Sequence, residues 1–111
     1  MGKSRELGKA ERHRLRELAS VAYERELSRV LGELETEFQR WRAGEINAFD
    51  VSEAIHEFHQ GASRDLFSRY APANHEIVVA QAIHDGLVSK GEAGSALLEC
   101  LAGHLALLRE R

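Results

Sequence analysis

The first third of the chain repeats its apolar positions at the three- and four-residue spacing of a helix. Between about Ser4 and Arg42 there is no proline, and Glu and Arg fill the positions between the apolar ones. The apolar positions are Ala19, Tyr23, Leu27, Val30, Leu34, Phe38 and Trp41. This is the pattern of an amphipathic helix with one buried stripe. It predicts a long first helix that ends near Gly44, since glycine commonly terminates helices.

A second apolar stripe follows, and it predicts a helix that begins at Asp50 and ends near Tyr70. Asp50 is a good N-cap, and Glu53 three residues later makes a variant of the capping box. The helix should stop before Ala71-Pro72, because the residue before a proline disfavours helical geometry. The buried positions of this helix would be Val51, Ile55, Phe58, Ala62 and Leu66.

Two further stripes complete an all-α pattern. Asn74 is expected to cap a third helix that carries Ile77, Ala80, Ile83 and Leu87. After a short turn over residues 88–91, a fourth helix should run to about Arg109, with a stripe of Leu98, Leu101, Leu105 and Leu108. We therefore predict one domain over residues 1–111, an all-α four-helix bundle-like fold with a long first helix.

The lengths and faces of these helices favour a homodimer. A straight first helix of about 39 residues would be roughly 58 Å long. A compact domain of this size spans much less, since its radius of gyration is about 13 Å. The helix must break, protrude or meet a second chain. The fourth helix is also apolar on a second face, at Leu97, Cys100 and Leu107, and such a helix is normally buried. Its leucine stripe (Leu98, Leu101, Leu105 and Leu108) is the predicted dimer interface, and a monomer with a frayed basic N-terminus is the alternative.

Composition limits the class of protein. Hydrophobic residues make up 43% and charged residues 30% of the 111 residues, which is typical neither of a disordered tail nor of a membrane protein. No apolar run approaches the roughly 18 residues of a membrane span, and the charged N-terminus does not resemble a signal peptide. A single cysteine, Cys100, excludes an intramolecular disulfide. We therefore expect a soluble, cytoplasmic protein.

The charge of the chain is unevenly distributed. Residues 1–16 carry six basic and two acidic side chains, so the remainder has nine basic and sixteen acidic ones. A basic segment can bind nucleic acid, and this is one alternative function. However, its arginines alternate with Glu6, Glu11 and Glu17, which can pair with them within the helix, and it has no aromatic residue to stack on bases. A solvated, salt-bridged helix face is the interpretation that we favour.

A histidine-rich stretch suggests a metal site. On a helix, Glu53, His56 and His59 would lie along one edge, and imidazole with carboxylate suits zinc, iron or nickel. Carboxylate-bridged bundle sites use two Glu-x-x-His units; this chain has one, and a two-fold dimer would supply the second. This gives the main alternative function, a metal-binding bundle with or without enzymatic activity, ahead of nucleic-acid binding. In the structural alternative, both histidines border the apolar stripe and form hydrogen bonds to their neighbours.

The remaining candidates are a polar and aromatic group near the end of the second helix. Arg64, Arg69 and Tyr70, with Trp41, are the residue types that dominate binding hot spots, although arginines at a helix C-terminus also complement its dipole. No spacing in the sequence indicates a nucleophile with its base or a phosphate-binding loop. The favoured hypothesis is an interaction or regulatory protein without catalytic activity or cofactor. It would act through self-association and the binding of a protein partner.

Overall fold

The computed structural model describes residues 6–71 and 74–110, and these residues are all-helical. Helix accounts for 83% of them and no strand occurs in this part of the chain, which confirms the all-α prediction. The elements are α1 (Lys9–Arg42), α2 (Ala48–Phe58), a π-helical turn (His59–Ser63), α3 (Arg64–Tyr70), α4 (His75–His84), α5 (Lys90–Ala93), α6 (Ser95–Cys100) and α7 (Ala102–Arg109). No helix within the described ranges is both long and apolar enough to cross a membrane.

Helix α1 begins at Lys9 rather than near Ser4, which lies outside the described residues. Its first turn is organised by Gly8, whose carbonyl accepts from the Arg12 backbone N–H at 3.0 Å and whose own N–H donates to Glu11 Oε1 at 2.9 Å. Because Glu11 satisfies this backbone donor, the helix starts here. With 34 residues, α1 is about 51 Å long.

Helix α1 ends where the sequence predicts. Gly44 has a positive φ of 79°, and the N–H of Glu45 donates to the Arg40 carbonyl at 2.9 Å. A glycine in the left-handed region, followed by a bond back to the last turn, is a common helix terminator. The glycine stop at this position is confirmed.

Helix α2 starts three residues earlier than predicted. Asn47 is the N-cap: its Oδ1 accepts from the Asp50 N–H at 2.9 Å, and Asp50 Oδ2 accepts from the Asn47 N–H at 2.9 Å. The prediction that Asp50 caps this helix and pairs with Glu53 was wrong. Asn47 and Asp50 themselves stand at capping-box spacing, so the aspartate serves as the third helical residue.

The chain stays helical from α2 to Tyr70, where the predicted end is confirmed, but a π-helical turn interrupts the α-helical repeat. A π-turn inserts an extra residue into the helical repeat, so apolar positions on its two sides do not share one straight stripe. Val51 and Leu66 are buried as predicted, whereas Ile55 is 44% exposed.

Asn74 caps α4 as predicted, because its Oδ1 accepts from the backbone N–H of Glu76 at 2.9 Å and of Ile77 at 3.3 Å. The helix ends at His84 and is followed by Gly86 with a φ of 79°. Leu87, predicted to belong to the helical stripe, therefore lies in the loop.

The predicted single fourth helix consists of three short ones. Ser89 caps α5 in a capping box with Glu92, and Gly94, at a φ of 84°, separates α5 from α6. At Leu101 the backbone adopts φ −98° and ψ 5°, which ends α6 before α7 begins. A glycine with this backbone geometry cannot continue an α-helix. The break at Leu101 was concealed in the sequence, because the leucine spacing continues across it.

The chain divides into two compact units. The first contains the described residues up to Tyr23 and from Asn74 to Glu110, and the second is Glu24–Ala71. Most of the fully buried side chains belong to the first unit, namely Leu18, Val79, Val88, Cys100 and Leu101. Within it, Arg14 Nη2 donates to the Glu92 carbonyl at 2.7 Å and attaches α1 to α5.

Candidate functional site

The predicted metal ligands lie on the surface of the second unit. Glu53 and His56 are exposed on α2, and His59 is exposed at the start of the π-helical turn. Over residues 6–71 and 74–110, no three His, Cys, Asp or Glu side chains are arranged to hold a metal ion. The metal site therefore stays a prediction from the sequence.

Two of the predicted partner-binding residues make contacts inside the second unit. Arg69 Nη1 donates to Glu26 Oε2 at 2.9 Å and to Oε1 at 3.1 Å, and the Tyr70 hydroxyl donates to Glu26 Oε2. The Glu26 side chain is only 15% exposed and Tyr70 is buried. Charge-assisted hydrogen bonds of this kind are the strong ones. The three residues therefore attach α3 to α1.

The other two partner-binding candidates remain on the surface. Trp41 is 41% exposed in the last turn of α1, and the Arg42 guanidinium carbon lies 5.8 Å from the centre of its ring. Arg64 is exposed at the start of α3. Their exposure leaves both side chains accessible to another molecule.

The four leucines predicted as a dimer interface fall into two groups. Leu101 is fully buried and Leu108 nearly so, and both belong to the core of the first unit. Leu98 and Leu105 are half-buried and line a cavity of about 350 Å³.

This cavity combines an apolar floor with a basic rim. Four elements contribute to it: the end of α4, the start of α5, and both α6 and α7. The floor consists of Ile83, Leu98 and Leu105, the exposed Ala102 also belongs to the apolar lining, and the rim consists of His84, Lys90 and Arg109. We call it the basic-rimmed cavity. Its rim residues are separated by up to 25 positions, so no local sequence pattern reveals them.

Two carboxylates close to this rim in the sequence, Asp85 and Glu92, accept hydrogen bonds from neighbouring groups. Asp85 accepts from Gln81 Nε2 at 3.0 and 3.1 Å, and Glu92 Oε1 accepts from the Ser89 N–H at 2.9 Å. Among residues 6–71 and 74–110, no acidic side chain belongs to the lining of the basic-rimmed cavity. The charged residues of the described lining, Lys90 and Arg109, are thus both basic in a chain whose formal net charge is −3.

A second depression in the first unit lies between α4 and α7, and we call it the α4–α7 groove. It encloses about 200 Å³. Two large apolar side chains in its lining are strongly exposed, Ile77 at 55% and Leu107 at 66%. Ala80 and Leu108, both buried, form its floor. His104, also in the lining, has its Nε2 3.8 Å from Glu76 Oε2.

The second unit carries a depression lined by acidic side chains, in contrast to the basic-rimmed cavity, and we call it the acidic groove. It encloses about 340 Å³ between α1 and the segment from α2 into the π-helical turn. Its apolar lining is Val30, Leu34, Ala54, Phe58 and Ala62, and its charged lining is Glu33, Glu37 and Glu57. Arg40 Nη1 donates to Glu37 Oε1 at 3.2 Å, while Glu33 and Glu57 are exposed.

Chemically, these depressions offer apolar contact flanked by charge, which suits binding. The residues lining the α4–α7 groove and the acidic groove come from elements far apart in the sequence, as do those of the basic-rimmed cavity.

No protein-family model matches this chain, and neither the curated proteins nor the solved structures contain a match to it.

Proposed function

We propose that this protein is a homodimeric interaction protein that acts by self-association and by binding a protein partner, without turnover of its own. The observation that carries the proposal is the exposure of Ile77 and Leu107 in the same groove. Single exposed apolar side chains are ordinary on protein surfaces, whereas exposed apolar side chains that cluster mark interaction sites.

Burial of the exposed apolar side chains of the α4–α7 groove would favour dimerisation by a few kcal/mol. Full burial of a leucine or isoleucine contributes about 1.5–3 kcal/mol. Because Ile77 and Leu107 are more than half exposed, covering both would contribute about 2–3 kcal/mol per protomer, or about 5 kcal/mol in a two-fold dimer. Association costs at least ~4 kcal/mol. The α4–α7 groove would thus anchor the dimer, and surrounding contacts would complete it.

The choice of this groove also follows from charge. In a two-fold interface the same patch of both subunits meets, so a patch of one sign would oppose itself. The basic-rimmed cavity would place Lys90 and Arg109 against their own copies. The α4–α7 groove instead has Glu76 beside His104 and otherwise uncharged lining, which avoids that repulsion.

The acidic groove supports the partner-binding half of the proposal. Exposed Glu33 and Glu57 flank the half-buried side chains of Leu34 and Phe58. An amphipathic helix with basic residues beside its apolar ones is complementary to such a groove. The partner of this proposal is accordingly a protein with a basic amphipathic segment. Its capture should be abolished by Glu33→Lys with Glu57→Lys, and equal capture by this variant would remove the groove from the proposal.

The dimer is tested by native mass spectrometry and light scattering over a concentration series. Wild type should dimerise, and Leu107→Glu should be monomeric with an unchanged circular dichroism spectrum, because it places a charge in the covered groove. Leu31→Glu is the matched control, since Leu31 is 45% exposed on α1 outside the groove, and it should leave the dimer intact. A monomeric wild type, or a Leu107→Glu protein that dimerises as wild type does, would refute the dimer.

A further inference from the structure

We propose that the basic-rimmed cavity binds an acyl carboxylate, a molecule with one anionic headgroup on an unbranched apolar tail. The proposal is independent of self-association, because it rests on a different depression of the first unit. The cavity volume of about 350 Å³ falls within the range of small-molecule sites, about 300–1,000 Å³.

The floor of the cavity suits the tail. Ile83 is buried, and Leu98 and Leu105 are half-buried, so part of each leucine faces the open space of the cavity. Apolar side chains that line an open depression gain free energy when another apolar group replaces water there. Pockets of this kind are mostly apolar, with a few polar groups that fix the orientation of the ligand.

The rim supplies the groups that would hold the head. Within the described residues, the side chains of Lys90 and Arg109 form no ion pair or hydrogen bond, and both are exposed. An arginine can bind a carboxylate through two parallel N–H bonds, and a lysine adds a mobile point charge. His84 adds a ring N–H as a donor. Two cationic side chains without an ion pair in the described part of the chain, placed beside an apolar floor, favour binding of an anion that has an apolar tail.

The architecture of the cavity favours a compact ligand over a peptide. A helix-binding groove is formed along the length of neighbouring helices. Here four short elements, α4 to α7, converge on one depression, and α5 and α6 have only four and six residues. A convergent site of this kind surrounds a small molecule instead of following an extended one.

Isothermal titration calorimetry near neutral pH provides the test. The full-length protein is titrated with hexanoate, octanoate and decanoate below their micellar concentrations, and with the alcohols of equal length. Affinity should rise about four-fold per added methylene until the floor is filled. Each carboxylate should bind about ten-fold more tightly than its alcohol because of the charged hydrogen bonds.

Two pairs of variants separate the head from the tail. Lys90→Gln with Arg109→Gln should weaken carboxylate binding about ten-fold and leave alcohol binding unchanged. The matched control is Arg29→Gln with Arg64→Gln, which removes two exposed charges from the second unit and should have no effect.

Filling the cavity tests the tail separately. Ala102→Leu enlarges an exposed apolar side chain of the lining and should abolish binding of carboxylates and alcohols alike. Ala10→Leu, at an exposed position of α1, is the control and should bind as wild type does. Thermal melts should establish that all variants fold.

Three results would overturn the proposal. The first is no heat of binding for any carboxylate. The second is equal affinity for carboxylate and alcohol, which would show apolar partitioning without recognition of the head. The third is binding of an acidic amphipathic peptide, lost in the Lys90 and Arg109 variant, while carboxylates fail to bind. That outcome would assign the cavity to a protein partner.

Discussion

Replacing Glu26 by alanine should destabilise the second unit far more than an ordinary loss of a surface charge. Glu26 accepts two bonds from Arg69 and one from the buried Tyr70 hydroxyl. The Tyr70 hydroxyl has a single proton, so Glu26→Ala removes the acceptor to which that proton is donated. Helix α3 would lose these hydrogen bonds to α1.

The magnitude follows from the burial of each partner. A hydrogen bond to a charged acceptor contributes about 1.5–3 kcal/mol. The Arg69 side chain is 55% exposed, so its ion pair is screened by solvent and contributes about 0.2–1 kcal/mol. The higher helix propensity of alanine raises the free energy of unfolding by about 0.3 kcal/mol and offsets a small part of this loss. We therefore expect Glu26→Ala to lower the free energy of unfolding by about 2–3 kcal/mol.

Urea denaturation, monitored by the fluorescence of Trp41, measures this change in free energy, because Trp41 belongs to the second unit. For a urea m-value of about 1–3 kcal/mol per molar, the midpoint should fall by about 1 M or more. Glu37→Ala is the matched control. Glu37 also pairs with an arginine on α1, but its side chain is 32% exposed and that of Arg40 is 44% exposed, so its cost should be under about 1 kcal/mol.

A double-mutant cycle identifies the hydrogen bond as the cause. Tyr70→Phe in the Glu26→Ala background should cost less than in the wild type, because the hydroxyl no longer has Glu26 as its acceptor. The two changes should therefore be non-additive by about 1–2 kcal/mol. If Glu26→Ala destabilises no more than Glu37→Ala, or if the two changes simply add, the reasoning is refuted.

Two further predictions concern the backbone. Asn47→Ala removes the cap of α2 and should cost about 1 kcal/mol in the same urea experiment, whereas Ser52→Ala on the exposed side of α2 should cost less than half of that; equal effects would contradict the capping role. Gly32 has open space around an added Cβ, so Gly32→Ala should raise stability by about 0.5–1 kcal/mol. Gly94 has a φ of +84°, so Gly94→Ala should lower stability by about 1 kcal/mol or more. Circular dichroism melts measure both glycine variants, and changes of the same sign would contradict the conformational argument.

The sequence predicts those features of the fold that depend on neighbouring residues. The helical spacing, the Gly44 stop, the Asn74 cap and the end at Tyr70 are local signals, and each is confirmed. The Asn47 cap is equally local, but Asp50 offered a competing capping residue three positions later, and the prediction chose the wrong one.

The remaining features depend on contacts between distant residues. Nothing local distinguishes Arg69 as an internal partner of Glu26, 43 positions away, from an arginine that binds another protein. The basic-rimmed cavity likewise requires the chain to turn at Gly94 and Leu101. A continuous fourth helix, as the leucine spacing predicts, would give a straight stripe without such a convergence of elements.

The chain has one tryptophan and one cysteine, and each belongs to a different compact unit. Trp41 lies in the second unit, and Cys100 is buried in the first, with its thiol 3.8 Å from the Glu6 carbonyl. A buried thiol reacts only when its surroundings open. The rate at which Cys100 is labelled therefore reports the opening of the first unit, whereas Trp41 fluorescence reports the unfolding of the second unit. Without any engineered label, the protein thus carries two natural reporters of cooperativity. Coincident transitions would define one folding unit, and separate transitions would define two.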